Sequence, residues 1–452
     1  MLSVESQLDV HYYNCSKQRA RYAILNIRRA KFFINHKRGM QRVIVIGNSY
    51  STRLGVIRAV APLGCEVTII HIGFFGNDCP SKPLDGYSKY VKNILYFNRQ
   101  EGEKGLVKLL LEKCAVEGQK PIIIPTSDFS ALAIDDEEIK KHFAVPYINV
   151  RPKVSSLKFQ VSNHELSSIG YWMDKSHQKA LALSVGLNTA GSVVLERGEN
   201  GFQIPESIKY PCFTKPVSSI GAGKKCQRRC NNFKELKAVL AIAGKNDITK
   251  VLVEDFIDIS REYAVLGYSD GKEVVIPGII KFLKESKTHK GIALAGIVLP
   301  VDGFENLTSK FAEFIRQMGF VGIFDIDFLE SNGVFYFDEM NLRIGGSGTA
   351  ILNVGVNLPA MFVKAMCGEC TGNMPQAVIQ SATFVNENMA LGDFSEGKMS
   401  FHEYRKLLNT VDILFIKDAT DIAPYNEFEK QVKTQLLNYK RIAKRVLHVF
   451  GT

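Results

Sequence analysis

The chain has 452 residues and a formal net charge of +11, with 46% hydrophobic and 23% charged residues. This balance is typical of a folded globular protein and excludes collagen-like and disordered chains. The length corresponds to roughly three domains of ~150 residues each. No apolar run reaches the ~18 uncharged residues that a membrane-spanning helix needs, and residues 1–40 lack the apolar core of a signal peptide. We therefore expect a cytoplasmic protein without a transmembrane segment.

Most of the excess positive charge lies at the two ends of the chain. Residues 1–40 contain eight Lys and Arg against two acids, and further basic residues follow near the other end, at Lys430, Lys433, Lys440, Arg441, Lys444 and Arg445. We predict a basic N-terminal leader over 1–40 with a solvated surface, and weak attraction to an acidic surface is the alternative. No aromatic-interleaved basic motif and no zinc-finger spacing accompanies the charge, so we expect no nucleic-acid partner.

Nine cysteines are scattered along the chain, an odd number that does not favour a disulfide framework. Two of their spacings are short, Cys226 to Cys230 and Cys367 to Cys370. A structural zinc site needs two such pairs in a compatible arrangement, and nothing resembling a zinc repeat surrounds them. We predict reduced, partly buried thiols, with metal binding as the less favoured alternative.

The segment over 41–150 alternates strands with helices. VIVIG at 43–47 is a continuous apolar run that ends in glycine, which is typical of a strand buried on both faces of a parallel sheet. Two further apolar strands follow, separated by helical segments. This order predicts an N-terminal α/β domain with a doubly wound parallel sheet. Ligands of such sheets bind at the carboxyl ends of the strands, here at Gly47–Arg53 and Thr126–Asp128.

From residue 151 onward the pattern changes to mixed helices and strands. A Ser269-Asp270-Gly271 turn between alternating segments predicts a β-hairpin. We predict a two-lobed α+β domain over 151–370, with a lid lobe at about 190–256. A small C-terminal extension over 371–452 has a helical end and no assigned role.

The segment FDIDFLESNGVFYFDEMNLR, residues 324–343, carries the strongest chemical signal. Side chains alternate faces along a strand, so Asp325 and Asp327 share one face, as do Glu339 and Asn341 on the next strand. If the two strands pair in the right register, Asp327, Glu339 and Asn341 form a hard oxygen site. Such a site suits Mg²⁺, which binds few protein groups together with phosphates.

The register of this hairpin decides whether the acids meet. A two-residue Asn-Gly turn would set Asp327 opposite Asp338, whereas a three-residue loop would set Asp327 opposite Glu339. We favour the three-residue loop, because it also pairs Leu329 with Phe337 and keeps the acids apart from the apolar core.

A second segment, FTKPVSSIGAGKKC, places Lys215 at the end of a strand before a glycine-containing loop. The backbone N–H groups around Gly221 and Gly223 could surround a phosphate. The segment is not a P-loop, because Ser218 stands where that motif has Gly and Lys225 where it has Ser or Thr. On its own the segment is equally consistent with a flexible basic loop.

Taken in order, these pieces resemble the ATP-grasp superfamily, and within it the carboxylate–amine ligases of the D-aspartate-ligase-like branch. The resemblance covers about residues 41–365. It rests on five motifs in this order: Asp174-Lys175, Thr214-Lys215-Pro216, Val253-Glu254-Asp255-Phe256-Ile257, Arg261-Glu262-Tyr263, and Asp327 with Glu339-x-Asn341-x-Arg343. Relatives commonly have Glu where Asp327 stands, which leaves single-metal or water-mediated binding open.

The resemblance implies a role for each matching position. Lys175 and Lys215 correspond to the two lysines that contact ATP phosphates, and the loop with Gly221 and Gly223 corresponds to the lid above them. The other roles that it implies are adenine binding by Glu254, Phe256 and Ile257, ribose binding by Glu262, metal binding by Asp327, Glu339 and Asn341, and catalysis by Arg343 and Lys281.

The resemblance therefore implies an ATP- and Mg²⁺-dependent ligase that converts a carboxylate into an acyl phosphate and couples it to an amine. We expect a small carboxylate such as an amino acid, an amine acceptor, and a homodimer, which is common in the resembled family. Arg53 is a candidate anchor for the carboxylate, and an arginine on a helix surface is the alternative. The same scaffold serves carboxylases, thiol ligases and kinases. A non-catalytic basic protein that binds an acidic polymer, and a domain that only senses nucleotide, are further alternatives.

Overall fold

The computed structural model describes residues 40–75, 81–149, 162–218, 225–289 and 291–450. The predicted basic leader lies almost entirely outside these residues. Among them, every helix is either too short or too polar to cross a lipid bilayer.

The N-terminal region is built on a four-stranded parallel sheet in the order β3-β2-β1-β4. Its elements are β1 (Arg42–Gly47), α1 (Tyr50–Val60), β2 (Glu66–Gly73), β3 (Val91–Asn98), α2 (Gly102–Lys113), β4 (Ile122–Pro125), α3 (Asp128–Ala133) and α4 (Glu137–His142). Along β1, Val43 and Val45 pack on one face of the sheet and Ile44 and Ile46 on the other. Burial on both faces explains the continuous apolar run and confirms the predicted doubly wound sheet.

The sequence pattern missed β3. This edge strand includes the exposed residues Lys92 and Asn93, so it lacks a continuous apolar run. The strand order reverses between β1 and β4, which lie side by side. Their carboxyl ends therefore open into the crevice where ligands of such sheets bind.

A second, five-stranded sheet lies between residues 192 and 255 and has the order β7-β6-β10-β8-β9. We call it the lid sheet, after the predicted lid lobe. It is preceded by β5 (Tyr147–Ile148), α5 (Asn163–Leu166), α6 (Ile169–Trp172) and α7 (Lys175–Ser184), and its own elements are β6 (Ser192–Gly198), β7 (Gly201–Phe202), β8 (Cys212–Pro216), β9 (Arg228–Cys230), α8 (Phe233–Lys245) and β10 (Lys250–Asp255). The apolar side of α8 covers one face of the sheet through Leu236, Val239 and Leu240.

The third sheet has nine strands, and we call it the core sheet. Its main path is β16-β15-β11-β13-β14-β17-β18, with β12 paired to β11 and β5 paired to β15. The elements are β11 (Arg261–Asp270), β12 (Val274–Val275), β13 (Ile279–Glu285), β14 (Ala293–Leu299), α9 (Glu305–Met318), β15 (Phe320–Ser331), β16 (Val334–Asn341), α10 (Gly348–Asn353), α11 (Leu358–Met366), β17 (Ala382–Val385) and β18 (Ile413–Leu414). The predicted hairpin at Ser269-Asp270-Gly271 is present between β11 and β12.

The segment after residue 371 is part of this core sheet. Its strand β17 pairs with β14, and its helices α12 (Glu387–Ser395), α13 (Phe401–Thr410) and α14 (Ala423–Phe450) follow. Val385, Tyr404 and Phe428 from this segment are buried in one apolar cluster with Leu54 of α1. The C-terminal segment therefore packs against the N-terminal region and completes the fold.

The cysteines of the described residues are free thiols. Cys226 and Cys230 are buried in the apolar core of the lid sheet, while Cys370 is exposed. These positions agree with the predicted reduced, partly buried thiols.

Candidate functional site

The β15–β16 hairpin brings the predicted acids together. Asp327 pairs with Glu339 and Asp325 with Asn341, so these four side chains share one face of the core sheet. The prediction that Asp327 lies opposite Glu339 is confirmed.

The hairpin reaches this register by a different route from the predicted one. The turn has two residues, Asn332 and Gly333, with φ angles of 50° and 78° that fit a type I′ turn. The predicted three-residue loop and the predicted pairing of Leu329 with Phe337 are therefore wrong. Phe337 pairs instead with Phe328, because both rings are buried in the core of the domain.

A β-bulge at Asp338 reconciles the short turn with the observed pairing of the acids. The register shifts between Asp327 and Phe328, so β16 carries one extra residue at this point. A bulge changes the direction of a side chain and leaves one residue outside the ladder. Here it presents Asp338 to Lys215, whose Nζ lies 2.6 Å from Oδ1 of Asp338.

Lysines from two other elements meet these carboxylates. Lys175 is the first residue of α7, whose N-cap Asp174 accepts a hydrogen bond from the backbone of Ser176. Nζ of Lys175 lies 2.6 Å from Oε2 of Glu339. Lys215 is the penultimate residue of β8 and contacts Oε2 of Glu254 at 3.0 Å as well as Asp338.

Helix α7 is fixed against the hairpin by hydrogen bonds to the backbone of β16. The side chain of Gln178 donates to the carbonyl of Met340 at 2.8 Å and accepts from its N–H at 2.7 Å. The backbone N–H of Lys175 also donates to the carbonyl of Val217 at 3.1 Å. These bonds hold the two lysine-bearing elements at the edge of β16.

Crowding and burial raise the pKa values of the acids on β15. Burial raises the pKa of Asp325 to about 7, against the effect of Arg343 and with a further contribution from Glu339. Burial and the neighbouring carboxylates, Asp325 first, raise the pKa of Asp327 well above its usual value. A bound cation would relieve both effects.

The residues present fit a magnesium ion. Oδ1 of Asp325 is buried without a hydrogen-bond partner among the described residues, and Asn341 reaches Oδ2 of Asp327 at 3.3 Å. The described ranges contain no group of three or more His, Cys, Asp or Glu side chains already arranged around a metal position. A cation here would therefore depend on phosphate and water ligands, as Mg²⁺ commonly does.

Arg343 joins the hairpin to the N-terminal region. Its Nε donates to Asp128 at the start of α3, at 2.8 Å, and its Nη2 donates to Asn341 at 3.1 Å. Burial alone would lower the pKa of Arg343, but Asp128 and Asp325 raise it, so the guanidinium keeps its charge. One cavity is lined by residues of α3, α7 and β16 and by Ser218, which follows β8; they include Asp128, Lys175, Glu339 and Asn341.

The predicted nucleotide-base segment lies where β10 ends. The side chain of Glu254 is buried and faces lysines, and the N–H of Phe256 donates to the carbonyl of Pro211 at 3.3 Å. Ile257 is half-buried. Glu262 is half-buried on β11 and pairs with Leu329, two positions from Asp327 on the shared face.

The structure does not bring every predicted residue to the site. Lys281 pairs with Tyr263, whose neighbour Ala264 pairs with Asp327. Lys281 therefore lies on the opposite face of the core sheet from the acids. The predicted lid glycines, Gly221 and Gly223, lie outside the described residues.

Arg53 cannot serve as the predicted substrate anchor, and it is also not the surface arginine of the alternative. It is fully buried, and its Nε and Nη2 donate to the carboxylate of Asp85 at 2.6 and 2.8 Å. Its Nη1 donates to the carbonyl of Gly47. The guanidinium thus neutralises a buried acid and holds the turn after β1.

Two charged residues of the site were missed by the sequence reasoning. Lys179 lies one helical turn after Lys175, a spacing that puts both lysines on one face of α7. Its Nζ lies 2.5 Å from Oε1 of Glu254. Asp338 could not be placed, because a bulge has no reliable sequence signal.

Comparison with known proteins found a family model and several relatives that match part of this chain. Residues 174–369 match the family model for the ATP binding domain of the carbamoyl-phosphate synthase L chain. The carbamoyl phosphate synthase large chain of Campylobacter jejuni is 29% identical over 210 residues, which are 44% of this chain and 18% of that protein. The C-terminal section of the large chain from Methanocaldococcus jannaschii is 21% identical over 226 residues, 49% of this chain and 36% of that one. The chain thus spans a small part of these relatives.

Several solved structures share the fold over most of the chain. The N5-carboxyaminoimidazole synthetase of Staphylococcus aureus, complexed with ADP, has a TM-score of 0.57 at 15% identity and covers 81% of this chain and 88% of its own. The L-amino acid ligase of Bacillus licheniformis has a TM-score of 0.52 at 16% identity, with 77% and 80% covered. The biotin carboxylase domain of the Hydrogenobacter thermophilus 2-oxoglutarate carboxylase, in complex with MgADP, ADP and bicarbonate, has a TM-score of 0.55 at 19% identity, with 76% and 74% covered.

Proposed function

We propose that this chain, whose residues 174–369 match an ATP binding domain and whose fold is shared with an L-amino acid ligase, is an ATP- and Mg²⁺-dependent ligase that joins a carboxylate to an amine. The observation that carries the proposal is the contact between Lys175 and Glu339, 2.6 Å apart at the same cavity as Asn341. Lys175, the proposed contact of the phosphates, comes from α7. Glu339 and Asn341, the proposed oxygen donors to the metal, both come from β16.

Lys175 and Lys215 are the proposed contacts of the ATP phosphates. Lysine is a compact cation suited to this task. In the structure the ammonium group of Lys175 contacts the carboxylate of Glu339, and that of Lys215 contacts the carboxylate of Asp338. Incoming phosphate oxygens would replace these partners. The adenine would lie at Phe256 and Ile257, the ribose would be bound by Glu262, and the loop with Gly221 and Gly223 would cover the phosphates.

Asp327, Glu339 and Asn341 would hold the magnesium ion, with Asp325 beside them. When bound, the ion supplies positive charge that stabilises the phosphate oxygens during transfer. Two of the similar structures hold ADP, one of them with magnesium, which supports this assignment of the nucleotide and the metal.

The proposed reaction is the one that the resemblance to carboxylate–amine ligases implies, and it has two steps. An oxygen of the substrate carboxylate attacks the γ-phosphorus of ATP, the bond to the β-phosphate oxygen breaks, and ADP leaves. The amine then attacks the carbonyl carbon of the acyl phosphate, loses a proton and expels inorganic phosphate, which leaves an amide. Lys175 and Lys215 neutralise charge on the phosphoryl oxygens, and Arg343 neutralises the carboxylate side.

A carboxylase is the second candidate, because one similar structure is a biotin carboxylase domain that holds bicarbonate. In that case bicarbonate would take the place of the organic acid at Arg343. The acid and the acceptor are thus the open part of the proposal, and ATP-dependent activation of a carboxylate is common to both candidates.

Phosphate release from Mg²⁺-ATP, measured across pooled amino acids, small carboxylates, bicarbonate and amines, tests the proposal. We expect release that needs both an acid and an amine and that falls at least ~100-fold in Glu339→Gln. Glu196→Gln, which removes an exposed carboxylate of the lid sheet, is the matched control and should keep full activity.

Other outcomes of this assay separate the alternatives. Release with bicarbonate and no organic acid would favour the carboxylase. Release with a thiol in place of the amine would indicate a thiol ligase. ADP formation with transfer of the phosphoryl group to the acid and without phosphate release would indicate a kinase. No release and no ATP-induced thermal shift would contradict nucleotide use and favour a binding protein or an inactive domain.

A further inference from the structure

A row of four charged side chains, three of them buried, crosses from the lid sheet to the core sheet. In order, it consists of Lys179 on α7, Glu254 on β10, Lys215 on β8 and Asp338 on β16. The three contacts measure 2.5, 3.0 and 2.6 Å between nitrogen and oxygen. We call these four residues the charge row.

Three of the four residues of the charge row are almost closed to water, and the side chain of Asp338 is 28% exposed. Lys179, Glu254 and Lys215 are each no more than 5% exposed. Charges in such surroundings interact strongly and are screened little by salt. The two lysines and the two carboxylates alternate, so the row has no net charge.

Lys179 has no role in the proposed reaction, yet it decides the charge around Lys215. Without Lys179, the ammonium of Lys215 would lie between two carboxylates, Glu254 and Asp338, and the group would have a net charge of −1. That charge would repel an approaching phosphate. With Lys179 present, one oxygen of Glu254 is paired and the balance is restored.

We propose that Lys179 is a positioning residue that acts through Glu254 to keep Lys215 available to the phosphates of ATP. Glu254 contacts the ammonium of Lys215 at 3.0 Å, in addition to Asp338 at 2.6 Å, and Lys179 compensates the charge of Glu254. The side chain of Glu254 thus serves the phosphate end of the nucleotide site. The inference rests on the proposed nucleotide binding, and on no particular carboxylate or acceptor.

The test is a double-mutant cycle on nucleotide affinity, which needs no knowledge of the other substrates. The variants are Lys179→Met, Glu254→Gln and the double variant, and the measurement is calorimetric binding of the non-hydrolysable analogue AMP-PNP with Mg²⁺. We expect Lys179→Met to raise the dissociation constant at least about tenfold, because it leaves a buried carboxylate uncompensated. In the Glu254→Gln background the same substitution should change affinity less than about threefold, because the charge it compensates is gone.

A matched control lies on the same strand as Glu254. Lys250 and Glu196 form an exposed ion pair at 2.7 Å at the other end of β10, and the double variant Lys250→Met/Glu196→Gln should bind AMP-PNP like the wild type. Lys179→Arg keeps the charge and should bind within about threefold of the wild type. It replaces Lys179→Met as the deciding variant where melting curves show that Lys179→Met does not fold.

The failures of the two proposals can be told apart. A wild-type protein that binds no Mg²⁺-AMP-PNP contradicts the proposed function itself. Normal wild-type binding with an unchanged affinity in Lys179→Met overturns only the role of Lys179. If Lys179→Met lowers the affinity for AMP-PNP equally in the wild type and in the Glu254→Gln background, the role is also overturned, because the effect would not pass through the charge of Glu254. A tenfold loss of affinity in a folded Lys179→Arg variant overturns it as well, because that variant keeps the charge.

Discussion

Asp325 and Asp327 are neighbours on one face of β15 and have few compensating contacts. The nearest cation to Asp325 is Arg343, whose Nη1 lies 3.9 Å from Oδ2 and whose Nε is bonded to Asp128. The pKa of Asp325 is raised to about 7, chiefly by burial. A carboxyl group whose pKa is higher in the folded than in the unfolded chain destabilises the fold when it ionises. The ionisation of Asp325 therefore costs stability, which is expected if this acid lies in the proposed metal site.

Asp325→Asn should stabilise the protein in the absence of nucleotide and metal. The cost of ionising Asp325 is absent below the unfolded pKa of ~3.9, grows as the pH rises towards 7 and is fully present above that. We expect the melting temperature of the variant to exceed that of the wild type by at least about 2 °C at pH 8, and the difference to shrink towards pH 5. A variant that is less stable than the wild type at every pH would contradict this account of the acids.

At the scale of single elements, the pairing of the β15–β16 hairpin could be predicted from the sequence, whereas its turn and its bulge could not. Alternation along two strands predicted that Asp327 meets Glu339, and the structure has this pair. The predicted loop was wrong, because the two-residue turn and the bulge at Asp338 together give the same register. A bulge depends on the core packing of Phe328 and Phe337, which only the folded chain defines.

The turn between β13 and β14 is held by an element from the C-terminal segment. Asp393 of α12 accepts hydrogen bonds from Oγ of Ser286 at 2.8 Å and from the N–H groups of Lys287 and Thr288, both at 2.9 Å. Burial alone would raise the pKa of Asp393, but these donors lower it below its usual value. The ionised carboxylate thus stabilises this turn.

Asp393→Asn should lower stability near neutral pH. A carboxyl group with a lowered folded pKa stabilises the protein above its unfolded pKa of ~3.9, and this contribution is lost as the pH falls towards the folded value. Loss of hydrogen bonds to a charged acceptor costs about 1–3 kcal/mol of unfolding free energy. Urea unfolding at pH 7 and at pH 3, which is below the unfolded pKa, measures the effect. A destabilisation that is equal at both pH values, or none, would contradict the role of the charge.

At the scale of the whole molecule, the order of sequence motifs predicted the architecture well. The continuous apolar run of β1 predicted the doubly wound sheet, and the order of Lys175, Lys215, Glu254 and Glu339 predicted an ATP-binding domain, in agreement with the family model that matches residues 174–369. The sequence pattern could not predict the partner of Arg53. Whether an arginine binds a substrate or a buried acid depends on Asp85, which is 32 residues away in the chain. The homodimer and the cytoplasmic location stay predictions.

The C-terminal segment was left without a role, and its place in the fold gives a testable one. Strand β17 covers the edge of β14, and Val385 and Phe428 lie in a buried cluster with Leu54 of α1. A chain that ends at residue 370 would expose this edge and this cluster, and exposed edges promote aggregation. We expect such a chain to be insoluble when expressed, and a soluble, monodisperse product would show that the segment is dispensable for folding.

The central claim is that the protein uses ATP to activate a carboxylate, and trapping the activated acid tests it most directly. Hydroxylamine replaces the unknown amine, so the protein is incubated with Mg²⁺-ATP, pooled carboxylates and hydroxylamine, and hydroxamate and ADP are both measured. We expect equal amounts of hydroxamate and ADP from the wild type and from Glu196→Gln, and at least ~100-fold less from Glu339→Gln. Nucleotide binding with no hydroxamate from any acid, or equal hydroxamate from Glu339→Gln, would contradict the claim.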